Sequence, residues 1–201
     1  MAMSRTIVLA SASPRRTELL SEAGVEHVVV AADVAEAELM KQVKKDENYP
    51  KNLVIYLARQ KALAVVREVA DDAVIIAADT VVAVNGEILG KPNSKTEARD
   101  MLWKLSGSRH SVFTGYAILN KKNKLLLSGV EETIIYFREL SDDDIEGYIN
   151  TDEPYDKAGG YAIQEHGDAF VEKIEGDYNN VVGLPVDKVL EILKILGRYT
   201  Q

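Results

Sequence analysis

Apolar runs and chain breakers divide the sequence into short, well-marked segments. Ile7-Val8-Leu9-Ala10 is a first apolar run, followed by Ser11-Ala12-Ser13-Pro14. Helical spacing after Pro14 places Leu19, Leu20 and Ala23 on one face before Gly24. A strand over Ile7–Ala10 and a helix from Pro14 to a C′ glycine are predicted. His27–Ala31 reads as a second strand. Asp33–Asn52 is the least apolar part of the first half, a loop or irregular helix with Glu36 near its start. From Asn52 to Val69, helical spacing gathers Leu53, Val54, Leu57, Ala58, Ala62, Val65 and Val69 on one broad face. Ala73–Ala78 is continuously apolar, the pattern of a strand covered on both faces, and it ends directly in Asp79-Thr80. Val81–Val84, Asn85-Gly86 and Glu87–Leu89 form a hairpin signal.

In the second half, Ser94-Lys95-Thr96-Glu97 is a capping-box signal for a helix to about Leu105, ended by Ser106-Gly107. Ser111–Asn120 and Leu125–Phe137 read as long strands around a Lys121–Lys124 tip, with Thr114-Gly115 interrupting the first. Ser141-Asp142-Asp143-Asp144 fits an N-cap with an acidic first turn better than a metal cluster, opening a helix to Tyr148. Glu153–Gly160 and Gly176–Asn180 are polar loops. Leu184-Pro185 starts a final amphipathic helix with Val186, Val189, Leu190, Leu193 and Leu196 inward. No repeat or linker stands out. The expectation is one α/β domain over residues 1–201, with a bilobed form left open.

Composition narrows the function classes. The chain has 201 residues, 46% of them apolar and 28% charged, which suits a soluble globular domain. It has no cysteine, so disulfides, thiolate metal sites and thiol nucleophiles are excluded. The apolar run after Met1–Thr6 is too short for a signal peptide, and none approaches the ~20 residues of a membrane span. A cytoplasmic protein without membrane association is expected. The net charge is −8. Lys41–Lys45 and Lys121–Lys124 are isolated basic runs that read as solvated surface, so no nucleic-acid partner is expected. An acidic protein that handles an anionic ligand needs local positive charge or a metal ion.

Four places could supply that chemistry. Ser11–Arg16 puts small residues and two arginines at a helix N-terminus, where free N–H groups favour anions; an ordinary capped helix with two surface arginines is the equal alternative. Lys61 falls inside the apolar arc of its helix, where a lysine is costly unless it snorkels or meets an anion. Contact with Glu68, one heptad on, is the commoner explanation and a phosphate contact the sharper one. Asp79 closes a buried strand at the edge where open α/β sheets bind ligands. Gly90-Lys91-Pro92 resembles the end of a phosphate loop, but Pro stands where Ser or Thr is required. His27, His110 and His166 have no metal-ligand spacing and read as ordinary strand and loop residues.

Six strings, taken together and in order, carry a resemblance. Ser11-Ala-Ser-Pro-Arg-Arg16, Ala77-Ala-Asp-Thr-Val81, Gly90-Lys-Pro92, Ser106-Gly107 with His110-Ser-Val-Phe-Thr-Gly115, Glu153-Pro-Tyr-Asp-Lys-Ala-Gly-Gly160 and Gly176-Asp-Tyr-Asn-Asn-Val-Val-Gly183 resemble the Maf family of nucleoside triphosphate pyrophosphatases. The resemblance implies an elongated mixed α/β sheet with flanking helices, two lobes around a cleft, related to inosine triphosphate pyrophosphatases. It implies hydrolysis of a nucleoside triphosphate to monophosphate and pyrophosphate with Mg²⁺ or Mn²⁺, in a homodimer. Asp79 matches the catalytic carboxylate, and Glu36 a second metal-site carboxylate, with Glu38 a nearby alternative. Arg16, Lys61 and Lys91 match the triphosphate grip, with Ser11 and Ser13 in the opening loop. Arg15, Thr80 and Gln164 match the family's dTTP/UTP type rather than the type preferring 7-methyl-GTP. A Gln amide suits uracil or thymine, offering a donor to O4 and an acceptor to N3–H. Modified pyrimidine triphosphates fit the same residues. A different class, a regulatory or nucleic-acid-binding protein linked to cell division, is the alternative function.

Overall fold

A computed structural model describes residues 6–164 and 166–199. The leading segment read as lacking a signal peptide lies outside the described residues up to Arg5. The elements are β1 (Ile7–Leu9), α1 (Pro14–Glu22), β2 (Val28–Val29), α2 (Glu36–Met40), α3 (Tyr49–Ala64), β3 (Val74–Val84), β4 (Glu87–Leu89), α4 (Lys95–Leu105), β5 (Arg109–Asn120) and β6 (Leu125–Phe137). They continue with α5 (Asp142–Ile149), three 3-10 segments (Glu153–Asp156, Ala158–Gly160, His166–Phe170), β7 (Val171–Glu175), α6 (Tyr178–Val182) and α7 (Val186–Ile195). The strands form one seven-stranded open sheet in the order β2-β1-β3-β5-β6-β7, with β4 paired to β3. This is the mixed α/β class expected: β1 pairs parallel with β2 and β3, while β4 and β7 pair antiparallel with β3 and β6.

The chain divides into two compact units. The first comprises the described residues of Met1–Asp79, Thr114–Glu131 and Gly183–Gln201; the second comprises Thr80–Phe113 and Glu132–Val182. In the first unit, small residues let a helix lie close on the sheet. Val8, Ala10, Ala58, Ala62, Ala73, Ile75, Ala77 and Ala117 share one buried cluster. Gly115 marks the closest approach. A Cβ there would lie 2.2 Å from the Val54 carbonyl carbon on α3. Gly115 therefore does not interrupt β5, as expected from sequence; it lets the helix backbone touch an unbroken strand. In the second unit, α5 opens on a complete capping box: Ser141 Oγ accepts from the Asp144 N–H and the Asp144 side chain accepts from the Ser141 N–H. Arg138 also grips Asp144 through two 2.9 Å bonds, and these bonds hold the carboxyl well below the usual carboxylate range.

Several other boundaries differ from the sequence reading, each through a tertiary cause. β3 runs through Asp79 and Thr80 without ending at Ala78. Antiparallel pairing of Val82–Val84 with Glu87–Leu89 keeps the strand extended beyond the polar pair. The second strand shrinks to Val28–Val29, both exposed at the sheet edge. Helix α3 starts at Tyr49 and stops at Ala64, so its last predicted turn is absent. Ser94 caps α4 through the Glu97 N–H, but the Glu97 carboxylate turns to Asn93 and leaves the box incomplete. The 176–180 loop contains the start of α6.

Candidate active site

The first unit assembles its charged residues where β1 gives way to α1. Ala10 N–H donates to Ile76 O at 2.7 Å, which keeps the chain against β3 as it leaves the sheet. Ser11 follows and is buried. Ser13 stands at the N-cap of α1, but its side chain makes no capping bond. Instead the Ser13 N–H donates to Ser11 Oγ at 3.2 Å. Arg16 Nη1 donates to the same oxygen at 3.2 Å, and Arg16 Nε donates to Gly183 O at 2.7 Å. Ser11 Oγ thus accepts twice, leaving its own O–H to donate to a ligand oxygen. Ser11, not the N-cap Ser13, organises the turn with its side chain.

Lys61 is where the site tightens. Its Nζ lies 2.5 Å from Asp79 Oδ1 and 2.6 Å from Glu36 Oε1. The side chains of Lys61 and Asp79 are only 12% and 10% exposed, so neither charge is well hydrated and each depends on the other. Glu36 is 52% exposed, so it can reach both this pair and solvent. Glu68 is exposed, and the contact predicted between it and Lys61 is replaced by these two carboxylates. Glu36, not Glu38, makes the contact; Glu38 pairs with Lys41 at 2.7 Å.

The electrostatics follow from burial. Desolvation pushes the Asp79 carboxyl above its ordinary value, while Lys61 and Arg16 pull it back. Desolvation lowers the Arg16 guanidinium, opposed by Asp79 and reinforced by half-buried Arg15 on the same turn. Three cations, Arg15, Arg16 and Lys61, therefore stand with two carboxylates in one unit. The cluster thus brings guanidinium and ammonium groups together with carboxylate oxygens.

Asp79 is not at a strand terminus as predicted. It is three residues beyond Ile76, which is opposite Leu9 at the end of β1. The strand that ends beside the site is β1, while β3 continues. Thr80, Lys91 and Gln164 belong to the second unit. Thr80 is half-buried, whereas Lys91 and Gln164 are exposed. The Gly90–Pro92 stretch is tied to the glycine pair downstream by the Gly159 N–H donating to Gly90 O at 2.9 Å. The Gly183 carbonyl, which orients Arg16, is a site group that sequence reasoning misses. Its signal is the Gly176–Gly183 string, whose last glycine has no evident local role in sequence.

Comparisons with known proteins agree with the resemblance. A family model described as Maf-like protein matches residues 6–196. A dTTP/UTP pyrophosphatase of Pyrococcus abyssi (strain GE5 / Orsay) is 48% identical over 189 residues, 94% of this chain and 95% of that protein. One from Thermoanaerobacter sp. (strain X514) is 45% identical over 188 residues, 94% of this chain and 95% of that protein. One from Syntrophus aciditrophicus (strain SB) is 41% identical over 198 residues, 98% of this chain and 93% of that protein. Among solved structures, a HAM1 protein from Coxiella burnetii superposes with a TM-score of 0.51 at 14% identity, covering 97% of this chain and 100% of that one. That likeness concerns the fold alone. With the family model matching nearly end to end and relatives above 40% identity over almost their full lengths, the chain belongs to the Maf family.

Proposed function

We propose that this protein is a nucleoside triphosphate pyrophosphatase that hydrolyses dTTP and UTP to the monophosphate and pyrophosphate. The observation that carries the chemistry is Lys61 held at 2.5 Å and 2.6 Å between Asp79 and Glu36. The substrate class is supported by the names of the relatives. Attack at the α-phosphorus needs charge neutralisation, an oriented water and a base. Arg16, held by Ser11 and Gly183, supplies a preset guanidinium for phosphate oxygens. Lys61 takes up further triphosphate charge, Ser11 and Ser13 line the opening turn, and Lys91 is read as a triphosphate ligand on the family resemblance alone. Asp79 takes the proton of the attacking water; its burial raises its basicity toward that task.

The donor set suits a hard divalent cation. Glu36 and Asp79 already converge on one cationic group, Lys61 Nζ, and offer only oxygens. Mg²⁺ is commonly bound by one or two carboxylates together with substrate phosphates and water. Among the described residues no group of three or more His, Asp or Glu is placed to hold a metal ion by itself. Glu36 and Asp79 would hold Mg²⁺ or Mn²⁺. When bound, the cation would neutralise phosphate charge and lower the pKa of a coordinated water.

The two units are read as halves of one domain, because β3, β5 and β6 each contribute residues to both. The enzyme is taken as a cytoplasmic homodimer on the family resemblance. Among the described residues no helix is long and apolar enough to cross a membrane. The regulatory or nucleic-acid-binding alternative is not favoured, given relatives named as pyrophosphatases.

The test is a panel of dTTP, UTP, CTP, GTP, 7-methyl-GTP and modified pyrimidine triphosphates with Mg²⁺ or Mn²⁺, scored for pyrophosphate. The highest kcat/KM is expected on dTTP, UTP or their modified forms. A preference for purines would overturn the substrate assignment. On the same panel Gln164→Glu is expected to lower kcat/KM for dTTP and UTP by about tenfold, because a carboxylate faces O4 without a donor. An unchanged panel would remove Gln164 from base reading.

A further inference from the structure

His110 is a buried titratable residue for which the proposed chemistry has no use. It lies on β5, 2% exposed, and its Nε2 is 2.7 Å from the Tyr161 hydroxyl. The two rings meet edge-on at 5.4 Å, and Phe137 packs edge-on against both, at 4.9 Å and 4.8 Å. Burial pulls the His110 imidazole down to about 4, so it is neutral at neutral pH. Its Nδ1 has no hydrogen-bond partner among the described residues. Phenylalanines at both 110 and 161 would fill the same aromatic site with no buried polar atom left unpaired. The polar pair therefore costs stability, and packing alone gives no reason for it.

What the pair holds is the start of the segment that ends in Gln164. Tyr161 is fixed by His110. The next residue, Ala162, donates its N–H to the Tyr148 hydroxyl at 3.0 Å. Beyond the segment, Gly167 packs so closely that a Cβ there would lie 2.4 Å from the Ala162 carbonyl oxygen. Gln164 is exposed between these anchors. A carboxamide alone is a poor judge of pyrimidines. In one orientation it matches uracil, which offers O4 and N3–H; flipped by 180° it matches cytosine, which offers an N4 donor and N3. Discrimination needs the amide presented from a fixed position.

We propose that His110 and Tyr161 are a positioning pair for nucleobase selection, presetting the segment that presents Gln164 so that uracil and thymine are preferred over cytosine. The proposal rests on the reading of Gln164 as the base-contacting residue. Neither His110 nor Tyr161 touches substrate in this account; both act through Gln164.

The experiment measures kcat and KM for UTP and CTP in the full-length wild type, Tyr161→Phe, Gln164→Ala and the double variant, with His110→Phe as a second probe. Tyr161→Phe deletes one oxygen and keeps the ring, so it is expected to fold. Its UTP-to-CTP ratio of kcat/KM should fall by about tenfold, the order of one hydrogen bond. The change should lie in KM for UTP with kcat retained, since uniform binding is what is lost. Gln164→Ala should lower the ratio too, and adding Tyr161→Phe to it should change nothing further. A ratio unchanged in Tyr161→Phe but lowered in Gln164→Ala would overturn the positioning role and leave base reading intact. A further fall in the double variant would also overturn it, because the pair would then act elsewhere. A ratio unchanged in Gln164→Ala would remove the base reading itself and the proposal with it.

Discussion

Asp79→Asn is expected to lower kcat by about a thousandfold while leaving the fold in place. The expectation rests on two properties of one side chain. Asp79 is a buried carboxylate held against Lys61 at 2.5 Å, so its charge is available only where it is paired. Its burial makes it a better proton acceptor than an exposed aspartate. Asparagine keeps the shape and can still accept from Lys61, but it neither takes a proton from water nor offers charge to a cation. Lys61 retains Glu36 at 2.6 Å, so it is not left as an isolated buried charge. The protein should therefore melt near its parent and remain soluble. Steady-state kinetics on UTP and dTTP provide the check, with circular dichroism as the control. Near-normal kcat in the folded variant would remove Asp79 from the catalytic role.

Gly115→Ala is expected to have the largest effect on stability, about 3 kcal/mol or more, measured by urea unfolding. The new methyl would lie 2.2 Å from the Val54 carbonyl carbon, 2.3 Å from its oxygen and 2.5 Å from the Ile55 nitrogen. These are backbone atoms of α3, and no rotamer change relieves the clash. The helix must lift from β5 or the strand must bend. Either movement also displaces Lys61, which α3 carries toward Asp79, so activity should fall with stability. A variant that unfolds within about 1 kcal/mol of the parent would show that the helix is not packed this closely.

Much of the fold is legible in the sequence because its signals are local. The apolar run at Ala73–Ala78, the apolar face of α3 and the stripe on α7 each announce an element by its own spacing. The capped acidic start at Ser141–Asp144 is legible for the same reason, and it forms a complete box. The differences lie where a distant partner decides the outcome. β3 outlasts its apolar run because β4 pairs with it beyond Asp79. β7, which no sequence pattern announces, is a mostly exposed edge strand with charged residues, held by pairing with β6. Gly115 looks like a break because sequence shows the missing side chain, not the helix that occupies its place.

The candidate site divides in the same way. Ser11–Arg16 is recognisable as an anion-binding turn, but the choice of Ser11 over Ser13 as the organising hydroxyl depends on where Arg16 reaches. Lys61 stands out in sequence as a costly lysine on an apolar face. Its partner is not legible there: helical spacing suggests Glu68, while the sheet brings Asp79 and the segment before α3 brings Glu36. Gly183, far along the chain from Arg16, can be linked to it only by the fold.

Water attack at the α-phosphorus, with pyrophosphate as the leaving group, is tested most directly by turnover of UTP in H₂¹⁸O with Mg²⁺, followed by mass spectrometry of both products. The label should be found in UMP, with unlabelled pyrophosphate and no UDP. Label in pyrophosphate, or release of orthophosphate with UDP, would contradict it.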